Sequence, residues 1–219
     1  MAIVMPEERQ YELVPAGTHV ATCRLVVDLG TQEGQYGEKR QILFGWELPE
    51  ELTERGEPFG IYRRYTYTSD RRSALRTDIE SWLGRGLTSN DFGKLDLAEM
   101  LGRSCLLGVK HETREGRTFA NVTSIMQAPR GTPERRPVIG EVISLNLDDR
   151  PFRKHKFEAL PQWIRELIQK SPEYAKACGH RLVAAAASTT AEQLRSHLAA
   201  PSPAKGERQP NDLDDAVPF

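Results

Sequence analysis

The chain has 219 residues, of which 38% are hydrophobic and 28% are charged, and its formal net charge is −1. That length and apolar content predict one buried core with some chain left over, and the near-neutral charge excludes nucleic-acid binding driven by overall positive charge. No apolar run is long enough to span a membrane and the first residues lack the pattern of a leader, so we expect a soluble protein.

The three cysteines indicate neither a disulfide framework nor a zinc site. Cys23, Cys105 and Cys178 are odd in number, lie far apart and have no Cys-x-x-Cys spacing. We therefore expect three reduced, mostly buried thiols, and we expect no metal and no cofactor.

Composition divides the chain into three parts. Residues 1–128 alternate strand-like runs with turn residues and are predicted to form the core. Residues 129–178 are predicted to be a connector and a helical appendage. Residues 179–219 contain few large apolar side chains and are predicted to be a flexible tail that ends in an acidic docking tip.

Three strands are predicted in the first half of the core. Residues 18–28 are rich in β-branched side chains and are followed by a glycine-rich loop. Residues 39–48 carry four apolar side chains at period two, which buries one face of the strand: Ile42, Phe44, Trp46 and Leu48. Pro49 is expected to end this strand, and residues 59–68, dense in Tyr and Arg, are predicted to form the third.

A helix and a hairpin complete the predicted core. The helix opens after Ser69-Asp70 and closes at Gly84, with Leu75, Ile79, Trp82 and Leu83 on one side. Residues 103–112 and 117–126 are predicted to be strands joined by a turn at 113–116. Three strands, a helix and two strands is the order of a five-stranded OB-type barrel, and a small sandwich with an added helix would give a similar pattern.

Basic and aromatic side chains interleave in and after the third predicted strand. A groove for single-stranded DNA needs cations for phosphates and exposed rings for bases, because every base has a face that can stack. On this ground the candidate DNA-binding residues are Lys39, Arg40, Tyr62, Arg63, Arg64, Arg71, Arg72, Lys110, Arg117 and Phe119.

Alternation along the third strand assigns these side chains to faces. Ile61, Tyr65 and Tyr67 are expected on the core side, so Tyr62 and Arg64 are expected to point outward. Arg63 breaks the pattern and is expected near a strand end or a bulge. We also expect Arg71 and Arg72 to open the helix, and Lys110 and Arg117 to face each other across the last hairpin.

The appendage contains one clear amphipathic helix. Residues 160–170 place their apolar side chains on one side, with Pro161 in the first turn, and Ser171 is expected to cap the next helical turn. The apolar stripe must be covered either by the core, which we favour, or by another subunit. Residues 142–149 are a candidate for one more short extended segment.

The last nine residues combine acidic side chains with an aromatic ring. Asn-Asp-Leu-Asp-Asp-Ala-Val-Pro-Phe at 211–219 resembles the acidic tip of bacterial single-stranded DNA-binding proteins, which recruits replication, recombination and repair enzymes. The resemblance assigns partner binding to Asp212, Leu213, Asp214, Asp215, Val217, Pro218 and Phe219.

A second resemblance extends over much of residues 15–176. Gly-Trp-Glu-Leu-Pro at 45–49, Leu-Pro-Gln-Trp-Ile at 160–164 and Ser-Pro-Glu-Tyr at 171–174 are similar to segments of small phage and prophage proteins encoded near recombination genes. This likeness supports a phage setting, and we expect the protein in the cytoplasm of the bacterial host cell.

Together these patterns predict a phage or prophage single-stranded DNA-binding protein that coats unpaired DNA and recruits enzymes through its tip. The alternative is a protein-binding adaptor that carries the same docking tip without binding DNA. No nucleophile motif or phosphate-binding loop is present, so we do not expect an enzyme. The oligomeric state is left open.

Overall fold

The computed structural model describes residues 12–34 and 37–178. The predicted tail at 179–219, including all seven predicted partner-binding residues, lies outside the described part of the chain. The strands are β1 Gly17–Gln32, β2 Lys39–Leu52, β3 Pro58–Thr66, β4 Ser104–Arg114, β5 Arg117–Gln127 and β6 Ile143–Leu145. The helices are α1 Ala74–Leu83, α2 Ser89–Lys94, α3 Lys154–Glu158, α4 Gln162–Gln169 and α5 Pro172–Ala177, with a 3₁₀ turn at Leu97–Met100.

The strands form one sheet in the order β3-β2-β1-β4-β5, with antiparallel neighbours throughout. β4 pairs with β1 only as far as Thr22, and the short β6 pairs in parallel with the next stretch of β1, Leu25 to Val27. The mainly β fold is therefore confirmed. The barrel itself is not confirmed, because β3 and β5 lie in contact but no hydrogen-bonded ladder joins them within the described residues.

The inner face of the sheet carries the larger core. The four period-two residues of β2 are all buried there, as predicted, and Phe44 packs against Trp46 at 5.8 Å between ring centroids. Helix α1 covers this face, with Trp82 6.1 Å from Trp46. Its caps are close to those predicted, because Ser73 accepts a hydrogen bond from the Arg76 amide and Gly84 adopts the left-handed conformation.

The outer face of β1 and β2 carries a second core. Leu25, Val27, Leu29 and Leu43 are covered by β6 and by α3, α4 and α5, which we call the outer layer. Ile164 and Ile168 of α4 are fully buried in this contact, so the sheet covers the apolar stripe, as favoured from the sequence. Six aliphatic side chains of these elements and their connections are buried here and together contribute on the order of 10 kcal/mol of gross burial free energy: Ile143, Leu145, Leu147, Leu160, Ile164 and Ile168.

Polar contacts fix the outer layer to the end of β1. Both carboxylate oxygens of Glu173 accept hydrogen bonds from Thr31, one from the amide at 2.8 Å and one from the hydroxyl at 2.7 Å. The Gln32 side chain donates to the Leu167 carbonyl at 3.0 Å. Gly30 lies under Ser171 so closely that a Cβ atom would stand 2.4 Å from the Ser171 side chain.

Two boundary predictions need correction, and three short elements were missed. β2 runs through Pro49 to Leu52. Its pairing with β1 ends at Glu47, and its register with β3 shifts after Leu48. Neither neighbouring strand therefore needs an amide donor at Pro49. The last hairpin turns in two residues, Glu115 and Gly116, both with positive φ, rather than four. Helices α2 and α3 and the 3₁₀ turn were not predicted.

Candidate nucleic-acid interface

Tyr62 and Arg64 point outward from β3, as predicted, but the face they occupy is largely covered. The Tyr62 ring packs edge-on against Trp163 of α4 at 5.3 Å, and its hydroxyl accepts a hydrogen bond from Arg24 at 2.8 Å. Gly45 beneath the ring leaves the space it needs, since a Cβ there would lie 2.8 Å from it. Arg64 is partly buried opposite Leu43, a residue of the second core. Tyr62 therefore holds the outer layer and is not an open stacking surface.

Arg63 lies in the middle of β3 and not at a strand end or a bulge. It is opposite Phe44 in regular register, and its guanidinium makes an ion pair with Asp78 of α1 at 3.0 Å. Burial raises the pKa of the Asp78 carboxyl, while Arg63 and the Tyr65 hydroxyl lower it in part. The positive charge of Arg63 is therefore paired with a carboxylate between the sheet and α1.

Tyr67 adjoins the inner core but is not buried in it. It was expected on the core side with Ile61 and Tyr65, both of which are buried, yet 52% of its surface is exposed. It lies just past the end of β3 at Thr66 and lines clefts together with the inner-core residues Ile42 and Leu75. Its amide donates to the Arg40 carbonyl at 2.7 Å, and the Arg40 guanidinium lies over its ring, 5.6 Å from the centroid.

Two carboxylates hold Arg40 in place. Its side chain donates to both oxygens of Asp28 and to Asp148 at 2.7 Å. The hydrogen bond to Asp28 raises the pKa of Arg40 above its already high ordinary value, so the group is always charged. Because two acids neutralise this charge, Arg40 is better placed to stack on Tyr67 than to bind a phosphate.

Tyr67 stands between two adjoining clefts, which we call the β6 bay and the α2 bay. Leu95 and Leu97 also line both. The β6 bay has a volume of about 230 Å³ and a polar lining that includes Asp28, Asp96, Ser144 and Asn146. The α2 bay has a volume of about 270 Å³ and is lined by Thr68, Ser69, Leu75, Phe92 and Gly93. We call the two bays together the Tyr67 cleft.

Exposed cations flank the Tyr67 cleft along the chain. Lys39 precedes Arg40, and Arg71 and Arg72 follow the cleft residues Thr68 and Ser69. Arg71 and Arg72 precede the Ser73 cap of α1, so the prediction that they open the helix is wrong. Sequence reasoning also missed Lys94, which is exposed at the end of α2 next to Leu95, because α2 itself was not predicted.

The remaining three candidates lie on the β4–β5 hairpin. Lys110 is opposite Asn121, Arg117 is opposite Arg114 and Phe119 is opposite Glu112, so the expected pairing of Lys110 with Arg117 is wrong. The three share one face, because directly opposed residues point to the same side of a sheet. Glu112 accepts hydrogen bonds from Arg114 at 3.1 Å and from Asn121 at 2.9 Å, so this face carries an acid among its cations.

The ten predicted residues therefore do not form one continuous groove. The segments that build the Tyr67 cleft carry four of them, Lys39, Arg40, Arg71 and Arg72. The outer layer covers Tyr62 and Arg64, and Arg63 faces α1. The other three lie on the last hairpin. Within residues 12–34 and 37–178, no cluster of His, Cys, Asp and Glu could hold a metal ion. Nor does that part of the chain contain a helix of the length and hydrophobicity needed to cross a membrane.

Comparison with known proteins assigns no family to the chain. No protein-family model matches it, and no curated protein matches it.

Proposed function

We propose that the protein binds single-stranded DNA in the Tyr67 cleft and recruits partner enzymes through residues 211–219. One observation carries the DNA-binding half: an exposed tyrosine ring, covered on one side by a fixed guanidinium, stands where two clefts meet. A ring in this position offers its other face to a base, and one such stack contributes about 1–3 kcal/mol.

The strand order supports this proposal. The path β3-β2-β1-β4-β5 with a helix between β3 and β4 is the order of an OB-type barrel, and we infer that the contact between β3 and β5 corresponds to its seam. OB-type barrels commonly bind oligonucleotides on the face around strands two and three. Here the outer layer covers that face, so the proposal places the ligand in the neighbouring cleft.

The charges indicate how tightly DNA would be held. Residues 1–127 contain 16 Lys and Arg against 19 Asp and Glu, so attraction over long distances contributes little. Among the described residues, four exposed cations lie on the segments that flank the cleft and are the candidates for phosphate contacts: Lys39, Arg71, Arg72 and Lys94. Four phosphate contacts on a single strand give a slope of about −3 for log K against log salt concentration.

Recruitment of enzymes rests on the sequence resemblance of residues 211–219. Carboxylates beside a Pro-Phe pair fit an apolar pocket with a basic rim. Such a contact is weak, because burial of one Phe side chain contributes about 1.5–3 kcal/mol and each exposed ion pair about 0.2–1 kcal/mol. A weak contact suits exchange between partners.

Fluorescence anisotropy of a labelled 20-nucleotide strand and its duplex, each titrated with the full chain at two salt concentrations, tests the proposal. We expect tighter binding to the single strand and weaker binding at the higher salt concentration. Equal affinity for the two forms, or no binding to either, would overturn the DNA-binding half and favour the adaptor alternative.

A further inference from the structure

We propose that a single strand bound in the Tyr67 cleft continues past the edge of β6 and is held by its phosphates on residues 150–156, which we call the basic segment. The inference rests on the proposed function, because it concerns the path of the same strand beyond the stacking ring. Proteins that bind single strands combine stacking rings with a basic surface that follows the backbone.

The basic segment is rich in cations and fixed to the outer layer. Four of its side chains are positively charged and none is acidic: Arg150, Arg153, Lys154 and Lys156. The first three of these are exposed, and Lys156 is partly buried. The segment is anchored by Phe152, whose ring packs edge-on against Tyr174 of α5 at 5.8 Å. Its cations therefore lie on a surface that is already in place before a ligand binds.

Two contacts place the basic segment at the border of the β6 bay. Lys156 donates from Nζ to the Ser144 carbonyl at 3.0 Å, and Ser144 lines the bay. Arg150 donates from Nη1 to the Leu147 carbonyl at 2.9 Å, one residue beyond Asn146, which also lines the bay. A strand that leaves the bay across this border therefore meets cations from both ends of the segment.

The turn before the basic segment contacts the arginine that covers Tyr67. Asp148 accepts a hydrogen bond from Arg40 at 2.7 Å, and the Arg40 guanidinium lies 5.6 Å from the centroid of the Tyr67 ring. Arg150 follows Asp148 by two residues, so it lies close to the proposed stacking site. A base on Tyr67 and a phosphate on Arg150 can therefore belong to nearby nucleotides of one strand.

Three of the four cations are available to phosphates. Arg150 and Lys156 donate to backbone carbonyls, and neither belongs to an ion pair within the described residues. Lys154 pairs with Glu158 at 3.4 Å, but the two side chains are 78% and 57% exposed, and such i,i+4 pairs contribute only about 0.3–0.5 kcal/mol. A phosphate can replace Glu158 at little cost. Arg153 is neutralised by a neighbouring aspartate at 3.0 Å.

Phosphate contacts on the basic segment change the salt dependence of binding. One contact on a single strand steepens the slope of log K against log salt concentration by about 0.7, which corresponds to about a 5-fold gain in affinity at about 0.1 M salt. With contacts from the exposed pair Arg150 and Lys154, the slope becomes about −4, compared with about −3 for the four cations that flank the cleft.

The test measures Kd against salt concentration for a labelled 20-nucleotide strand with the full chain and three variants. Arg150→Gln and Lys154→Gln each remove one charge from the basic segment. Lys154 is the second position because the hydrogen bond from Arg150 to Leu147 also holds the turn. Arg55→Gln is the matched control, since Arg55 is also exposed but lies in the turn before β3, whereas Tyr67 follows the other end of this nine-residue strand.

We expect Arg150→Gln and Lys154→Gln each to weaken binding about 5-fold at about 0.1 M salt and to make the slope shallower by about 0.7, with no change in Arg55→Gln. An unchanged slope in Lys154→Gln, or an equal effect of Arg55→Gln, would overturn the inference and leave the segment to another anion, such as the carboxylates of a partner protein. Either result, obtained with a measurable preference for the single strand over the duplex, leaves the proposed function standing. Failure of the unaltered chain to bind the strand removes the proposed function and the inference together.

Discussion

The Gly30→Ala substitution tests how firmly the outer layer is docked. Gly30 has a φ of +72°, and a Cβ at this position would stand 2.4 Å from the Cβ and Oγ atoms of Ser171 and 2.8 Å from Glu173 Oε2. Ser171 cannot rotate away without loss, because its hydroxyl donates to the Ile168 carbonyl at 2.7 Å and accepts from the Tyr174 amide at 3.2 Å. The start of α5 must therefore move.

Two terms set the size of the effect. A residue with a side chain in the left-handed region costs about 1–2 kcal/mol. Overpacking a tight contact costs about 1–3 kcal/mol more. We therefore expect Gly30→Ala to lower the free energy of unfolding by about 2–5 kcal/mol, measured by urea denaturation with linear extrapolation.

Gly116→Ala is the matched control. Gly116 has a similar φ of +78°, and no atom lies within 4 Å of its would-be Cβ, so only the backbone cost remains. We expect a loss of about 1–2 kcal/mol there. Tryptophan fluorescence reports the unfolding of both cores, since Trp163 lies in the outer layer and Trp46 in the inner core. Equal losses at Gly30 and Gly116 would refute the close packing of Ser171 on β1.

Two further predictions concern ionisable groups. Burial raises the pKa of Glu173, but the two hydrogen bonds from Thr31 outweigh this effect, so the pKa lies below its ordinary value of 4.5. The ionised Glu173 side chain therefore stabilises the fold above pH 4.5, and this stabilisation is lost as the pH falls through the lowered pKa. Glu173→Gln should cost about 1 kcal/mol in urea denaturation at pH 7 and progressively less below pH 4.5, and a cost that does not change with pH would contradict this. Burial raises the pKa of the Cys23 and Cys105 thiols, whereas Cys178 is exposed, so a disulfide reagent at pH 8 should modify one thiol rapidly and the other two only after denaturation. Rapid reaction of all three would show that the inner core opens easily.

Much of the sheet could be predicted because its signals are local. The period-two pattern in β2 follows directly from the burial of one face, and Ser73 and Gly84 are close to the predicted ends of α1. The Ser171 cap of α5 was predicted in the same way. In each case the residues that carry the signal are neighbours along the chain.

The candidate site was harder to predict, since it depends on where elements end and on what covers them. The strand period assigned Tyr67 to the core side, but it could not show that β3 ends at Thr66 and that 52% of the Tyr67 surface is exposed. One feature of the sequence indicates that the outer face of the sheet is covered. The unbroken apolar run Leu25-Val26-Val27 is typical of a strand that is buried on both faces. Nothing local marks Leu95 or Asp96 as neighbours of Tyr67, because α1 and α2 separate them along the chain.

The most direct test of the central claim compares two tyrosines in and just after β3. Affinity for a labelled single strand is measured by anisotropy for Tyr67→Ala, Tyr67→Phe and Tyr62→Ala, at a temperature where circular dichroism shows each variant to be folded. We expect Tyr67→Ala to weaken binding about 5- to 150-fold, the equivalent of one stacked base. Tyr67→Phe keeps the ring and should bind as the unaltered protein does, and so should Tyr62→Ala. Loss of binding at Tyr62 with none at Tyr67 would contradict the account, since the strand would then occupy the face that the outer layer covers.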